Sequence, residues 1–193
     1  MHTEFQTLHR KLATLGITPA EWQAVSETVV KVERLKGHSL PYLRGDFFFV
    51  SEGLLKQTYV LNGAPVVERF LHEGTSCFIT WTDHQDIEVL EDAVLLKISN
   101  ADLRHLKHTH PVLNIMFVQL YAEWMEMLKK RLELVLELKE DRVAAFQAAF
   151  PGLGSRLSKI DLARYLDIKT GYVSGVINDR ILANNSTKRN PLP

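Results

Sequence analysis

The stretch Pro111–Leu138, PVLNIMFVQLYAEWMEMLKKRLELVLEL, decides how the rest of the chain is read. It contains no Gly, and its one Pro stands at the first position, where a missing N–H costs nothing. Leu113, Phe117, Leu120, Trp124, Met127, Arg131, Leu134 and Leu138 recur at alternating spacings of four and three. That is a coiled-coil seam interrupted by Arg131. A second apolar stripe runs through Met116, Tyr121, Leu128, Leu132 and Val135. Two apolar faces need two partners, expected to be the rest of the subunit and the same helix of a second copy. The dimerisation residues expected are Leu113, Phe117, Leu120, Trp124, Met127 and Leu134. A long core helix of a monomer is the alternative. Arg131 in the seam implies either that the copies splay there or that it reaches Glu133 or Glu137 across the interface.

The chain has 193 residues, 46% hydrophobic and 24% charged, a composition that suits one large domain or two small ones. Cys77 is its single cysteine, which excludes an intramolecular disulfide and fits a reducing compartment. The N-terminal MHTEFQTLHRKL lacks the apolar core of a signal peptide, and no run approaches a membrane span, so a cytoplasmic location is expected. The formal net charge is zero but unevenly spread. From Gly152 onward, seven Lys and Arg stand against three Asp, a net of +4, leaving −4 for the remainder. A basic end hints at a polyanionic partner.

Outward from the long helix, Phe5, Leu8, Leu12 and Leu15 form a helical stripe stopped by Gly16. Thr18-Pro19-Ala20-Glu21 is a capping box that restarts a helix to about Val29. Eight short runs rich in Val, Phe, Tyr and Leu follow: Val29–Leu35, Ser39–Leu43, Phe47–Val50, Leu54–Leu61, Ala64–Leu71, Ser76–Trp81, Asp86–Leu90 and Ala93–Ile98. Asn62-Gly63 is a strong hairpin signal and Glu91-Asp92 a weaker one. Strands at this spacing indicate a sandwich or barrel. Ser99 or Asn100 caps a short helix through Leu106. After Leu138 the chain is expected to stay helical to about Phe150, then to break at Pro151-Gly152. A capping box at Ser158–Asp161 opens a further helix, Asp167-Ile168-Lys169 makes a tight turn, and Thr170 caps a last helix to about Leu182. The tail from Asn184 to Pro193 is expected to be disordered.

This order resembles the Crp/Fnr family of bacterial transcription regulators over nearly the whole chain. The resemblance is carried by Leu35-Lys36-Gly37-His38-Ser39-Leu40, by Gly45-Asp46 with Phe47–Val50 and Ser51–Lys56, and by Leu90-Glu91-Asp92-Ala93. Glu140-Asp141-Arg142, Phe150-Pro151 and Ile160–Ile168 are similar to the Bacteroidetes-type members. The resemblance implies an α+β fold. Residues 1–110 would form an antiparallel double-stranded β-roll sensor of the cyclic-nucleotide-binding kind, jelly-roll-like. Residues 111–138 would be a central dimerisation helix, and 139–183 an all-α helix-turn-helix domain followed by the tail 184–193. It further implies a homodimer that binds DNA and takes a small-molecule effector in the roll.

Two stretches depart from the family pattern. Cyclic-nucleotide binders of this fold carry a Gly-Glu pair and an Arg between two strands, but Gly74–Asp86 has no such pair and no Arg or Lys, while Asp83 and Asp86 would repel an anion. A buried phosphate without a cation is costly, so neither cAMP nor cGMP is expected to bind. In the last helix the positions expected to face bases include Thr170, Gly171 and Gly175, and Ile177 stands where the family has an outward Arg. The DNA-binding set expected is Lys169, Thr170, Tyr172, Ser174, Asn178 and Arg180, with Lys169 and Arg180 on phosphates and Asn178 able to read adenine. The alternative is a degenerate regulator-fold dimer that acts by ligand sensing or protein–protein interaction without specific DNA binding.

His105, His108 and His110 read as a polar helix end rather than a metal site, which needs three or four converging ligands. Cys77 with His72 and His84 reads as strand packing, and Trp81 as core or rim. No Ser-His-Asp ordering, P-loop or dinucleotide fingerprint occurs, so no enzyme activity, cofactor or metal is expected.

Overall fold

The computed structural model describes residues 3–79 and 85–176. It is α+β, built on one antiparallel sheet, as expected. Two compact units follow one another along the chain, Met1–Lys129 and Lys130–Pro193.

In the first unit, α1 (Thr3–Thr14) and α2 (Pro19–Thr28) precede the sheet. The capping box forms: the Thr18 hydroxyl accepts from the Glu21 N–H at 3.3 Å, and the Thr18 N–H donates to the Glu21 carboxylate at 2.8 Å. Five strands follow, β1 (Val30–Arg34), β2 (Phe47–Leu61), β3 (Ala64–Leu71), β4 (Ser76–Phe78) and β5 (Gln85–Ile98). Their order is β1-β5-β2-β3, with β4 also paired to β2. Asn62 and Gly63 turn β2 into β3 with φ of 51° and 78°.

The sheet corrects several expectations. Phe47–Val50 and Leu54–Leu61 are one strand, and so are Asp86–Leu90 and Ala93–Ile98. Gly53 and Glu91-Asp92 are therefore not turns. They lie where the β2–β5 register shifts, three times between Val50 and Leu55. Gly53 has φ +93°, and a Cβ there would collide with the carbonyl oxygen of Asp92. The two long strands bend together at a bulge that only Gly permits. Ser39–Leu43 contributes only an isolated bridge, Ser39 to Glu88.

Two apolar clusters flank the sheet. One joins Phe47, Phe49, Leu96 and Ile98 to helical residues including Leu8, Leu12, Val25, Leu103 and Leu106. The other holds Phe48, Val50, Leu55, Leu71, Cys77, Ile79, Ile87, Val89 and Leu95. Almost all of its residues come from the sheet, so the sheet must curve around it into a roll. The helix α3 (Asn100–Thr109) is capped by the Ser99 hydroxyl, which accepts from the Asp102 N–H at 3.1 Å. The helix α4 (Pro111–Leu136) follows and contains the boundary between the units.

The expectation of continued helix to Phe150 fails. The chain turns over residues 137–141 before α5 (Arg142–Ala149) begins. A 3-10 turn at Leu153–Arg156 and α6 (Lys159–Leu166) come next. The Ser158 hydroxyl caps α6 by accepting from the Asp161 N–H at 3.0 Å. Residues 170–176 form a last helical segment, α7.

Candidate functional site

The end of α6 sets up the C-terminal surface. Asp167 adopts φ 52°, ψ 51°, and its N–H closes onto the Ala163 carbonyl. The Ile168 N–H reaches the same carbonyl at 3.0 Å. The chain leaves α6 sharply and re-enters helix at Thr170, the tight turn expected at Asp167–Lys169. Leu162, Ala163, Tyr165, Leu166 and Val173 face inward, and the Phe146 and Tyr165 rings meet edge-on at 5.5 Å. This leaves Lys169, Thr170 and Tyr172 together on the exposed side. Ser174 is half-buried, and its hydroxyl donates to the Thr170 carbonyl at 3.2 Å. Gly171 and Gly175 face open space, with nothing within 4 Å of where a Cβ would stand. Asn178 and Arg180 lie outside the described residues, as do Ile177, Trp81, His84 and the tail.

The residue that holds this surface together is Arg142, which had no separate role in the sequence reading. It is buried, and its Nη1 donates to the carbonyls of Leu166 at 2.9 Å and Asp167 at 3.1 Å. Its Nε donates to the Glu137 carbonyl at 3.0 Å. One guanidinium thus caps the C-terminal end of α6 and pins the turn after α4, where the orphan carbonyls of a helix end favour a cation.

On α4 the seam row faces inward, while the second stripe expected from the sequence splits, with Met116 buried and Tyr121 and Leu132 exposed. Leu113, Phe117, Leu120 and Trp124 are at most 3% exposed within their own subunit, where Leu113, Phe117 and Leu120 join the cluster under α1–α3. Met127 packs on the cluster inside the roll, and Leu134 is buried. Within the chain the Arg131 guanidinium lies 5.7 Å from the ring centre of Tyr165 on α6. The nearly opposite face carries Ile115, Val118, Ala122, Met125, Lys129, Leu132 and Leu136, again at alternating spacings of three and four, and all exposed. Ile115, Val118 and Leu132 are 63%, 66% and 58% exposed, far more than scattered surface apolar residues require. This exposed row has the same coiled-coil periodicity as the buried seam and was not singled out in the sequence.

Inside the roll the structure adds a cation missing from the Gly74–Asp86 stretch. Arg69 on β3 is fully buried and stands opposite Gln57 of β2. Its guanidinium lies over the Trp124 ring, 3.8 Å from the ring centre, donates to the Trp124 carbonyl at 3.1 Å and pairs with Glu68 at 3.3 Å. Arg69 shares a strand face with Leu71, opposite Gln57 and Leu55, and a register shift between Gln57 and Thr58 breaks the alternation before Val67. Cys77 is buried beside Gln57, and burial pushes its thiol up to about 12. Among the described residues no group of three His, Cys, Asp or Glu could hold a metal ion, and no helix is long and apolar enough to cross a membrane.

No protein-family model and no curated protein matches the sequence. Solved structures do resemble it. FixK2 from Bradyrhizobium japonicum superposes with a TM-score of 0.69 at 14% identity, over 81% of this chain and 86% of that one. A mutant of CooA from Carboxydothermus hydrogenoformans gives 0.66 at 20% identity, over 87% and 82%. A protein from Eubacterium rectale assigned to the Crp/Fnr family of transcriptional regulators gives 0.65 at 14% identity, over 88% and 86%. At these identities the shared property is the fold.

Proposed function

We propose that this chain is a dimeric, DNA-binding transcription regulator of the Crp/Fnr type that does not respond to cAMP. The observation that carries the reading is the exposed group Lys169, Thr170 and Tyr172, presented by a short helix whose other side is packed by Val173. A helix-turn-helix presents its second helix in this way, with N-terminal residues toward base edges. The shared fold and the basic excess after Gly152 support it. In this reading residues 1–110 are the sensor, 111–138 the dimerisation helix and 139–183 the DNA-binding part, with Lys169 and Arg180 on phosphates and Thr170, Tyr172, Ser174 and Asn178 nearer the bases. The pairing face of α4 is the exposed row Ile115–Leu136. Selection of genomic fragments with the purified protein is the test: enrichment of one sequence class, lost steeply with salt, is expected. No retention of any fragment at low salt would sink the reading.

A second reading is favoured by Gly171 and Gly175. They offer no side chain to a base edge at two positions on the exposed surface. In that reading the dimer acts by ligand sensing or protein contacts alone.

A further inference from the structure

The turn after α4 and the turn after α6 meet at an open concavity of about 400 Å³. Its lining is Lys139, Asp167, Ile168, Lys169 and Tyr172. Arg142 fixes this meeting, because its three hydrogen bonds reach Glu137 on one side and Leu166 and Asp167 on the other. Lys139 and Lys169 are thirty positions apart in sequence yet flank one hollow. Both are exposed, and neither has an ion-pair partner among the described residues. With Asp167 on the same wall, the hollow carries two positive charges and one negative, a net of +1. A lysine is a point charge with three donors on a flexible stem, suited to a phosphate oxygen rather than to a base edge.

We propose that Lys139 and Lys169 together form one seat for a single backbone phosphate of DNA, with the Tyr172 hydroxyl as a further donor. Lys139 is then a DNA contact that lies outside the helix pair altogether, and Arg142 is the positioning residue that brings it there. This rests on the DNA-binding reading, and the test separates the two.

Binding of a random-sequence duplex is measured by fluorescence anisotropy across a salt series for the wild type, Lys139→Ala, Lys169→Ala, the double variant and Lys159→Ala. The logarithmic salt slope counts phosphates neutralised, so a shared seat predicts that the double variant loses about one unit, no more than one phosphate is worth. Lys159→Ala, on the exposed start of α6, keeps the wild-type slope. A loss of about two units in the double variant would mean two independent contacts and overturn the shared seat. Wild-type affinity of Lys139→Ala at every salt concentration overturns it as well. If the wild type does not bind duplex at all, the DNA reading fails, and lysine acetylation read by mass spectrometry tests the seat alone. Inorganic pyrophosphate should then slow labelling of Lys139 and Lys169 several-fold but not that of Lys159. Equal labelling of all three overturns the anion seat.

Discussion

The guanidinium of Arg69 lies over the Trp124 ring, 3.8 Å from its centre, and donates to the carbonyl oxygen of the same residue at 3.1 Å. One side chain of the roll thereby grips both the ring and the backbone of α4. A planar, weakly hydrated cation suits such a site, and Lys does not. Arg69→Ala is expected to cost about 3 kcal/mol, from lost packing and a lost charged hydrogen bond, and Arg69→Lys to recover little of it. Urea unfolding followed by circular dichroism measures both, and a cost below about 1 kcal/mol would show that the stack contributes little.

Arg142 is the corresponding clamp in the second unit. Removing it leaves the carbonyls of Leu166, Asp167 and Glu137 without this donor. Arg142→Ala should destabilise the unit by about 2–4 kcal/mol, with Arg142→Lys nearly as poor because one ammonium cannot span three carbonyls in a fixed fork. Limited proteolysis should then cut near residues 137–141 and 167–169. An unchanged cleavage pattern contradicts this role.

The two rows of α4 give opposite mutational signatures. Val118→Glu and Met125→Glu, on the exposed row, should yield folded monomers in analytical ultracentrifugation. Leu120→Ala, at 0% exposure, should instead lower stability by about 2–5 kcal/mol. Dimers that survive the double Glu substitution would place the pairing surface elsewhere.

The Cys77 thiol is buried and raised from its usual value to about 12, with desolvation as the main cause. It therefore stays protonated through neutral and mildly alkaline pH, and the thiolate is the reactive form. An aromatic disulfide reagent at pH 8 should leave native protein unlabelled and react with one thiol per chain in denaturant. Fast native labelling would show that this part of the roll opens.

Titration calorimetry with cAMP and with cGMP should show no uptake. Arg69 is engaged by Trp124 and Glu68, and the stretch Gly74–Asp86 supplies no Arg or Lys of its own. Tight binding of either nucleotide reverses this expectation.

What was legible in the sequence was local. Thr18, Ser99 and Ser158 each cap the helix they precede, because a hydroxyl satisfying an orphan N–H is a nearest-neighbour effect. Asn62-Gly63 turns because both residues tolerate positive φ. What depended on distant parts of the chain was not legible. Gly53 and Glu91-Asp92 read as turns, but the paired strand absorbs each as a bulge. Leu113, Phe117, Leu120 and Trp124 read as a dimer seam, but the cluster around Leu8, Val25 and Phe49 claims the first three. Arg142 gains its role, and Lys139 its proposed one, only where two turns meet.

Lys129 stands within the exposed row of α4, pairs with Glu126 at 3.0 Å, and is the sole charged member of Ile115, Val118, Ala122, Met125, Lys129, Leu132 and Leu136. When two such helices align in register, its long stem can lie along the seam while the ammonium escapes sideways to water. In a trimer, or after a slip of one heptad, that escape closes or an apolar residue is set against a charge. If the exposed row pairs two copies as proposed, this apparent flaw would act as a counting device. It would weaken every association while admitting two copies and one alignment, and Lys129→Leu should trade that selectivity for tighter, more heterogeneous assemblies.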